Sequence, residues 1–89
     1  MNIDISKIKK IMRKLKHKDP NLFKTLQKKI VQIAQMNYEA ILHFKNLRYD
    51  LSELKRVQVG SFVLVFSVEH DIVMFRDFDH HKNIYKKRW

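Results

Sequence analysis

Residues 75–85 read Phe-Arg-Asp-Phe-Asp-His-His-Lys-Asn-Ile-Tyr, the end of an apolar run followed by a dense set of titratable groups. Arg76, His80, His81, Lys82 and Tyr85 fall within ten residues. Such groups transfer protons or stabilise a developing anion. Asp77 and Asp79 lie among them, so the stretch is not simply basic. Metal-free RNA cleavage matches these residue types. A base takes the 2′-hydroxyl proton, the oxygen attacks the adjacent phosphate, and an acid protonates the leaving 5′-oxygen. Histidine suits either proton role near neutral pH, tyrosine does so beside cations, and Arg and Lys clamp the phosphorane. A solvated surface patch and a site for an acidic peptide are the alternatives. A metal at Asp77-x-Asp79-His80-His81 fits poorly, because adjacent histidines point apart and the spacing lacks the i, i+4 logic of helical sites. No metal or cofactor is expected.

The elements that must hold this stretch are legible in the hydrophobic periods. Met1 to Ile5 alternates and predicts a short strand, with Ser6 as a helix N-cap. Ile8, Ile11, Met12 and Leu15 form one helical stripe, ringed by Lys7, Lys9, Lys10, Arg13, Lys14, Lys16 and Lys18. Asp19 and Pro20 fit the N-cap and first position of a second helix. Its stripe is Phe23, Leu26, Ile30 and Ile33, and it runs to about Gln35. Asn37 to Glu53 has no clean period and is read as an irregular connection whose aromatics anchor on the core. Leu54 to Val59 alternates, Gly60-Ser61 turns, and Phe62 to Phe66 is apolar on both faces, as a central strand covered on both sides requires. Glu69-His70-Asp71 is the next turn, Ile72 to Phe78 the last strand, and His80 to Lys87 a short helix. The expected fold is α+β, in the order β-α-α-β-β-β, with an antiparallel sheet packed on a helical hairpin and one domain over residues 1–89.

Composition narrows the function classes. The 89 residues carry 19 Lys and Arg against 9 Asp and Glu, a formal net charge of +10. That excess points to a polyanion such as RNA, DNA or a ribosomal surface, or to a strongly acidic protein. A merely solvated basic surface is the plain alternative. Residues 1–44 hold 10 basic and 3 acidic groups and residues 45–89 hold 9 and 6, so the first half supplies most of the positive field. The absence of cysteine removes disulfides and thiol nucleophiles, and one glycine cannot build a phosphate-binding loop. Met1 to Ile5 has no signal-peptide core and no run approaches a membrane span, so a cytoplasmic location is expected.

Three segments carry a resemblance. They are Leu47-Arg48-Tyr49-Asp50-Leu51, Arg56-Val57-Gln58-Val59-Gly60-Ser61-Phe62 and His80-His81-Lys82-Asn83-Ile84-Tyr85. In this order and spacing the chain resembles the RelE/ParE superfamily of toxins, in particular the RelE-like mRNA interferases, along nearly its whole length. The resemblance implies a toxin of a type II toxin–antitoxin system that cleaves ribosome-bound mRNA without metal and inhibits translation. It implies a cognate acidic antitoxin and a toxin–antitoxin hetero-oligomer, with no membrane partner. Carried over by position, Arg56, His80, His81 and Tyr85 match the family's active surface, and Arg76 is added as a compensating cation. Lys45, Arg48, Lys55, Lys82 and Lys86 are the matching RNA-contacting cations. Val63 and Gln58 depart from the pattern, standing where family members commonly carry arginine. That departure keeps open a gyrase-directed, ParE-like toxin or a degenerate module that only binds RNA or antitoxin.

Overall fold

A computed structural model of the protein describes residues 1–48 and 53–89. Strand β1 spans Asn2–Asp4, and helices α1 and α2 span Lys9–Lys18 and Pro20–Ala34. A short helix α3, Tyr38–Leu42, precedes strands β2 (Lys55–Val59), β3 (Phe62–Glu69) and β4 (Ile72–His80), and helix α4, His81–Ile84, follows. Among the described residues no helix is long and apolar enough to cross a membrane.

The helical hairpin forms as its caps predict. The Asp19 carboxylate accepts from the Leu22 N–H at 3.1 Å, and Pro20 opens α2, where its missing N–H leaves nothing unpaired. The start of α1 differs from expectation. Ser6 does not cap it; its own N–H donates to Asp4, and the helix begins three residues later with Ile8 at the cap. The short Asp4 side chain bonds locally and turns the chain before the helix starts. The segment after α2 is also more ordered than its period suggests. Asn37 Oδ1 accepts from the Ala40 N–H at 2.8 Å and caps α3. Of its aromatics, Phe44 packs edge-on against Phe66, whereas Tyr38 is half exposed rather than anchored. Tyr49 lies outside the described residues, as do Asp50 and Leu51 of the first matched segment.

The sheet order is β1-β4-β3-β2. Strands β2, β3 and β4 form the expected antiparallel meander, while β1 joins the edge of β4 in parallel, so the sheet is mixed. The crossover arises because the helical hairpin carries the chain across one face, and β2 then starts at the far edge. Positive φ at Gly60 closes the β2–β3 turn, and positive φ at His70 and Asp71 closes the β3–β4 turn. Successive residues of β3 face opposite sides. Leu64 and Phe66 enter the main core with Ile8, Leu26, Ile30, Ile33, Val73, Phe75 and Phe78. Val63 and Val65 enter a smaller core on the other face with Leu47 and Ile84. Each fully buried aliphatic or phenyl group contributes about 1.5–3 kcal/mol. The second, smaller core is the one that fixes α4 to the sheet.

Candidate active site

The chain around residues 76–85 takes its geometry from one irregularity. The β3–β4 register pairs Val65 with Asp77 but Phe66 with Phe75, so Arg76 is an extra residue. Such a bulge bends its strand and re-aims the side chains that follow. Beyond it, Asp77 and Asp79 lie opposite Val65 and Val63. They therefore share the face on which α4 sits.

His80 and His81 differ in what their rings do. His80 is the N-cap of α4, and its Nδ1 accepts from the Lys82 N–H at 3.2 Å. Its ring stands edge-on to Phe62, 5.6 Å between centroids. His81 anchors the turn instead. Its backbone N–H donates to the Ser61 carbonyl at 3.0 Å, and its ring Nδ1 lies 3.1 Å from the same oxygen. A carbonyl only accepts, so Nδ1 carries the proton and neutral His81 presents a bare Nε2 lone pair. By the same reasoning, neutral His80 holds its proton on Nε2.

One turn of α4 separates His81 from Tyr85, which is the helix C-cap and retains helical dihedrals. Side chains four apart on a helix are neighbours, with Cβ atoms about 5–6 Å apart. The Arg56 guanidinium lies 6.0 Å from the Tyr85 ring centroid, within cation–π range. Arg56 is held in turn by the Asn46 carbonyl, which accepts from its Nε at 3.0 Å. Arg48 braces the backbone beneath, donating to the Tyr85 carbonyl at 2.5 Å and more distantly to that of Lys87. The structure thus brings Arg56 to Tyr85 and places His81 one helical turn before Tyr85, at the Ser61 end of α4, with His80 as the cap and Arg48 behind Tyr85.

The other sequence-predicted residues divide. Lys82 and Lys86 are exposed on and just after α4, on the rim of this cluster. Lys45 is exposed, and its carbonyl accepts from the Arg56 N–H at 2.9 Å. Lys55 is engaged by Asn46 Oδ1 at 2.6 Å. Arg76 is not part of the cluster. Its Nε donates to the Ser67 hydroxyl at 2.9 Å and its guanidinium pairs with Glu69 at 2.7 Å. Ser67 lies two positions along β3 from Val65, the partner of Arg56, and five from Phe62, the partner of His80, so Arg76 is held at the end of this face away from the histidines. Arg76 and Lys55 instead line a cavity of about 270 Å³ with Tyr38, Ile41, Leu54 and Glu69. At this bulge Arg76 runs toward Ser67 and Glu69, while Asp77 and Asp79 run toward Lys87.

Val63 is 3% exposed and packs in the smaller core with Ile84, Leu47 and Val65. A cation there would be desolvated beneath α4, so the apolar residue belongs to the way this chain seats that helix. Gln58 is exposed, and its side-chain amide donates to the Gly60 carbonyl at 3.0 Å.

Lys87, which its residue type and spacing do not single out, shapes the region. Its ammonium donates to Asp77 at 2.6 Å and pairs with Asp79 at 3.0 Å. Burial pushes the Asp79 carboxyl up, but hydrogen bonds from Lys87, Asn83 and the His80 N–H outweigh it and hold the group below its ordinary range. Burial likewise opposes the charge on Lys87, and the two aspartates outweigh it, raising its pKa. A faint signal existed in the sequence: two aspartates two apart on a strand share a face and need a counter-charge. With Lys87 absorbing Asp77 and Asp79, and Arg76 paired to Glu69, the ion pairs among the described residues leave out Arg48, Arg56, Lys82 and Lys86. Those cations give the cluster its positive field. Among the described residues no group of three or more His, Asp or Glu side chains is arranged to hold a metal ion.

Among curated proteins the chain is similar to "Putative toxin RelE4" of Methanocaldococcus jannaschii, at 46% identity over 82 residues, which cover 89% of this chain and 83% of the relative. The chain belongs to the RelE toxin family. No family model matches it, and no solved structure gives a significant match. Membership in the RelE family accords with the strand–hairpin–meander order and with an α+β sheet covered on one face by two helices.

Proposed function

We propose that this chain is the toxin of a type II toxin–antitoxin pair and cleaves mRNA on the ribosome. The observation that carries the reading is the Arg56 guanidinium against the Tyr85 ring in a RelE-family chain, with His81 one helical turn from that tyrosine. In the proposed reaction, the Nε2 lone pair of His81 takes the proton of the 2′-hydroxyl. The freed oxygen attacks the adjacent phosphorus, and Arg56 stabilises the charge on the phosphorane. The P–O5′ bond breaks, and the Tyr85 hydroxyl protonates the leaving 5′-oxygen. The products are a 2′,3′-cyclic phosphate and a 5′-hydroxyl. Lys82, Lys86 and Lys45 hold the flanking backbone, and the lysines of α1 dock on ribosomal RNA. Arg76 has no part in this reaction, and His80 caps α4.

The partner is an acidic antitoxin that neutralises a +10 surface and folds onto it, with the apolar grooves between helices and sheet as its seat. A second reading is favoured by Val63: with no strand cation beneath α4, the chain would act by binding alone, on gyrase or on RNA. Inducible expression tests the two together. The nuclease reading expects growth arrest and A-site cuts that His81→Ala and Tyr85→Phe reduce. DNA-damage signalling without cuts selects the gyrase-directed reading. Toxicity that both variants retain in full removes the proposed residue roles.

A further inference from the structure

Helix α4 is four residues long, far too short to persist by its own hydrogen bonds. Its position, and that of Tyr85 just after it, is therefore imposed from outside. Part of the restraint is apolar, through Ile84 in the smaller core. Of the polar part, the Ser61 carbonyl holds His81 and Arg48 holds the Tyr85 carbonyl, and a further set of contacts converges on two carboxylates. Asp79 Oδ1 accepts from the His80 N–H at 2.7 Å and from the Asn83 amide at 3.2 Å, while its other oxygen meets Lys87 at 3.0 Å. Asp77 accepts from Lys87 at 2.6 Å. One aspartate thus ties the residue before α4, the third residue of α4 and the second residue after Tyr85. Tyr85 lies inside that loop of contacts.

The charges explain why Lys87 matters more than an ordinary surface lysine. Asp77 and Asp79 project from one face of β4 and repel each other. Their side chains are only 15% and 30% exposed, so water screens them incompletely. The ammonium between them offsets that repulsion and brings the chain back against the strand. The cluster borders a groove of about 490 Å³ between α1 and β4, where Lys14 and Lys18 face it from α1 and Asp19 from the start of α2.

We infer that Lys87, through its clasp on Asp77 and Asp79, is a positioning residue that sets α4 and Tyr85 against Arg56. The inference rests on the proposed nuclease reading for its catalytic consequence, but the clasp has a readout of its own. Trp89 is the single tryptophan, and its indole N–H donates to the Ile84 carbonyl at 3.2 Å, so its environment reports on the same segment.

The test compares the wild type with Lys87→Met, Lys87→Arg and Asp79→Asn. Each protein is assayed for single-turnover cleavage of mRNA on programmed ribosomes, for acrylamide quenching of Trp89, and for its melting curve. Lys87→Met is expected to retain a cooperative melt, to expose Trp89 to quencher, and to cleave more slowly by up to about 100-fold, the scale of a 1 Å misplacement. Ribosome binding should change less than twofold. Lys87→Arg, which can still bridge both carboxylates, should recover most of the rate, and Asp79→Asn should resemble Lys87→Met. Wild-type quenching and cleavage in Lys87→Met would overturn the clasp. If the wild type itself fails to cut, the nuclease reading falls and quenching alone decides: greater quenching in Lys87→Met upholds the clasp, and unchanged quenching overturns it.

Discussion

Replacing Val63 with arginine restores the cation that RelE-like sequences commonly carry, and we expect it to damage the protein rather than improve it. Val63 is 3% exposed and contacts Ile84, Leu47 and Val65, so an arginine side chain must either enter an apolar space or lift α4. Overpacking a filled core costs about 1–3 kcal/mol. Desolvating an unpaired charge adds up to several kcal/mol more, less whatever the long side chain recovers by reaching solvent. A total of about 3–5 kcal/mol is a large share of the roughly 4–13 kcal/mol expected for a domain of this length. At about 4–8 °C per kcal/mol, the melting midpoint should fall by more than about 12 °C. Val63→Ala separates shape from charge. It removes about two methylene equivalents, at about 0.8 kcal/mol each plus a cavity term, and should cost about 2 kcal/mol. Thermal and urea unfolding followed by circular dichroism measure both. A Val63→Arg protein that melts with the wild type and cuts mRNA faster would show that this face of β3 is open, and would refute the placement of α4 over it.

His81→Ala should lower cleavage by about 100-fold or more, as loss of a general base does, whereas His80→Ala should leave the chemistry within a few fold and cost about 1 kcal/mol of stability as a lost cap. Asp79 and Lys87 together set a pH window. The Asp79 carboxyl sits below its unfolded value, so its stabilisation is complete above about pH 4 and is lost as pH falls through the lower folded value. The Lys87 amine sits above its unfolded value, so its stabilisation is complete below about pH 10 and is lost as pH rises through the higher folded value. Quenching of Trp89 should therefore stay flat between those limits and rise outside them, and Asp79→Asn should remove the acid limb. Ribosome binding should weaken steeply with salt, and each α1 lysine changed to Gln, at Lys10 or Lys14 for instance, should reduce the slope of log K against log salt by about 1 if it contacts phosphate.

The sequence made the scaffold readable wherever a period was clean. The Leu26, Ile30 and Ile33 part of the α2 stripe, the Asp19-Pro20 cap and the doubly apolar run of β3 each correspond to one burial pattern and fold as it requires, whereas Phe23, at the head of that stripe, is only half-buried and Leu22 packs on the core beside it. A serine before a stripe is only a candidate cap, and here Asp4 accepts from the Ser6 N–H in a local turn, so the helix starts only at Lys9, beyond the reach of Ser6 as its N-cap. The helix α3 was hidden because five residues are too few to show a period, although Asn37 was present as its cap. Site residues were legible by type but not by placement. Arg76 and Asp77 are neighbours in sequence, and at a bulge that no periodicity announces they take different partners, Ser67 and Glu69 for one and Lys87 for the other. The contrast between His80 and His81 depends on which partner meets each Nδ1, an amide N–H or a carbonyl. In sequence Lys87 is indistinguishable from its basic neighbours Lys86 and Arg88, because only the fold sets two aspartates beneath it.

Mapping of mRNA ends on programmed ribosomes, with the wild type, Arg56→Ala, His81→Ala and Arg76→Ala run side by side, tests the central claim most directly. The account predicts cuts in the A site that leave a 2′,3′-cyclic phosphate, that fall by about 100–1,000-fold without Arg56, as for a lost transition-state donor, and that persist without Arg76. Absence of cuts with wild type, or cuts that depend on Arg76 and not on Arg56 or His81, would contradict it.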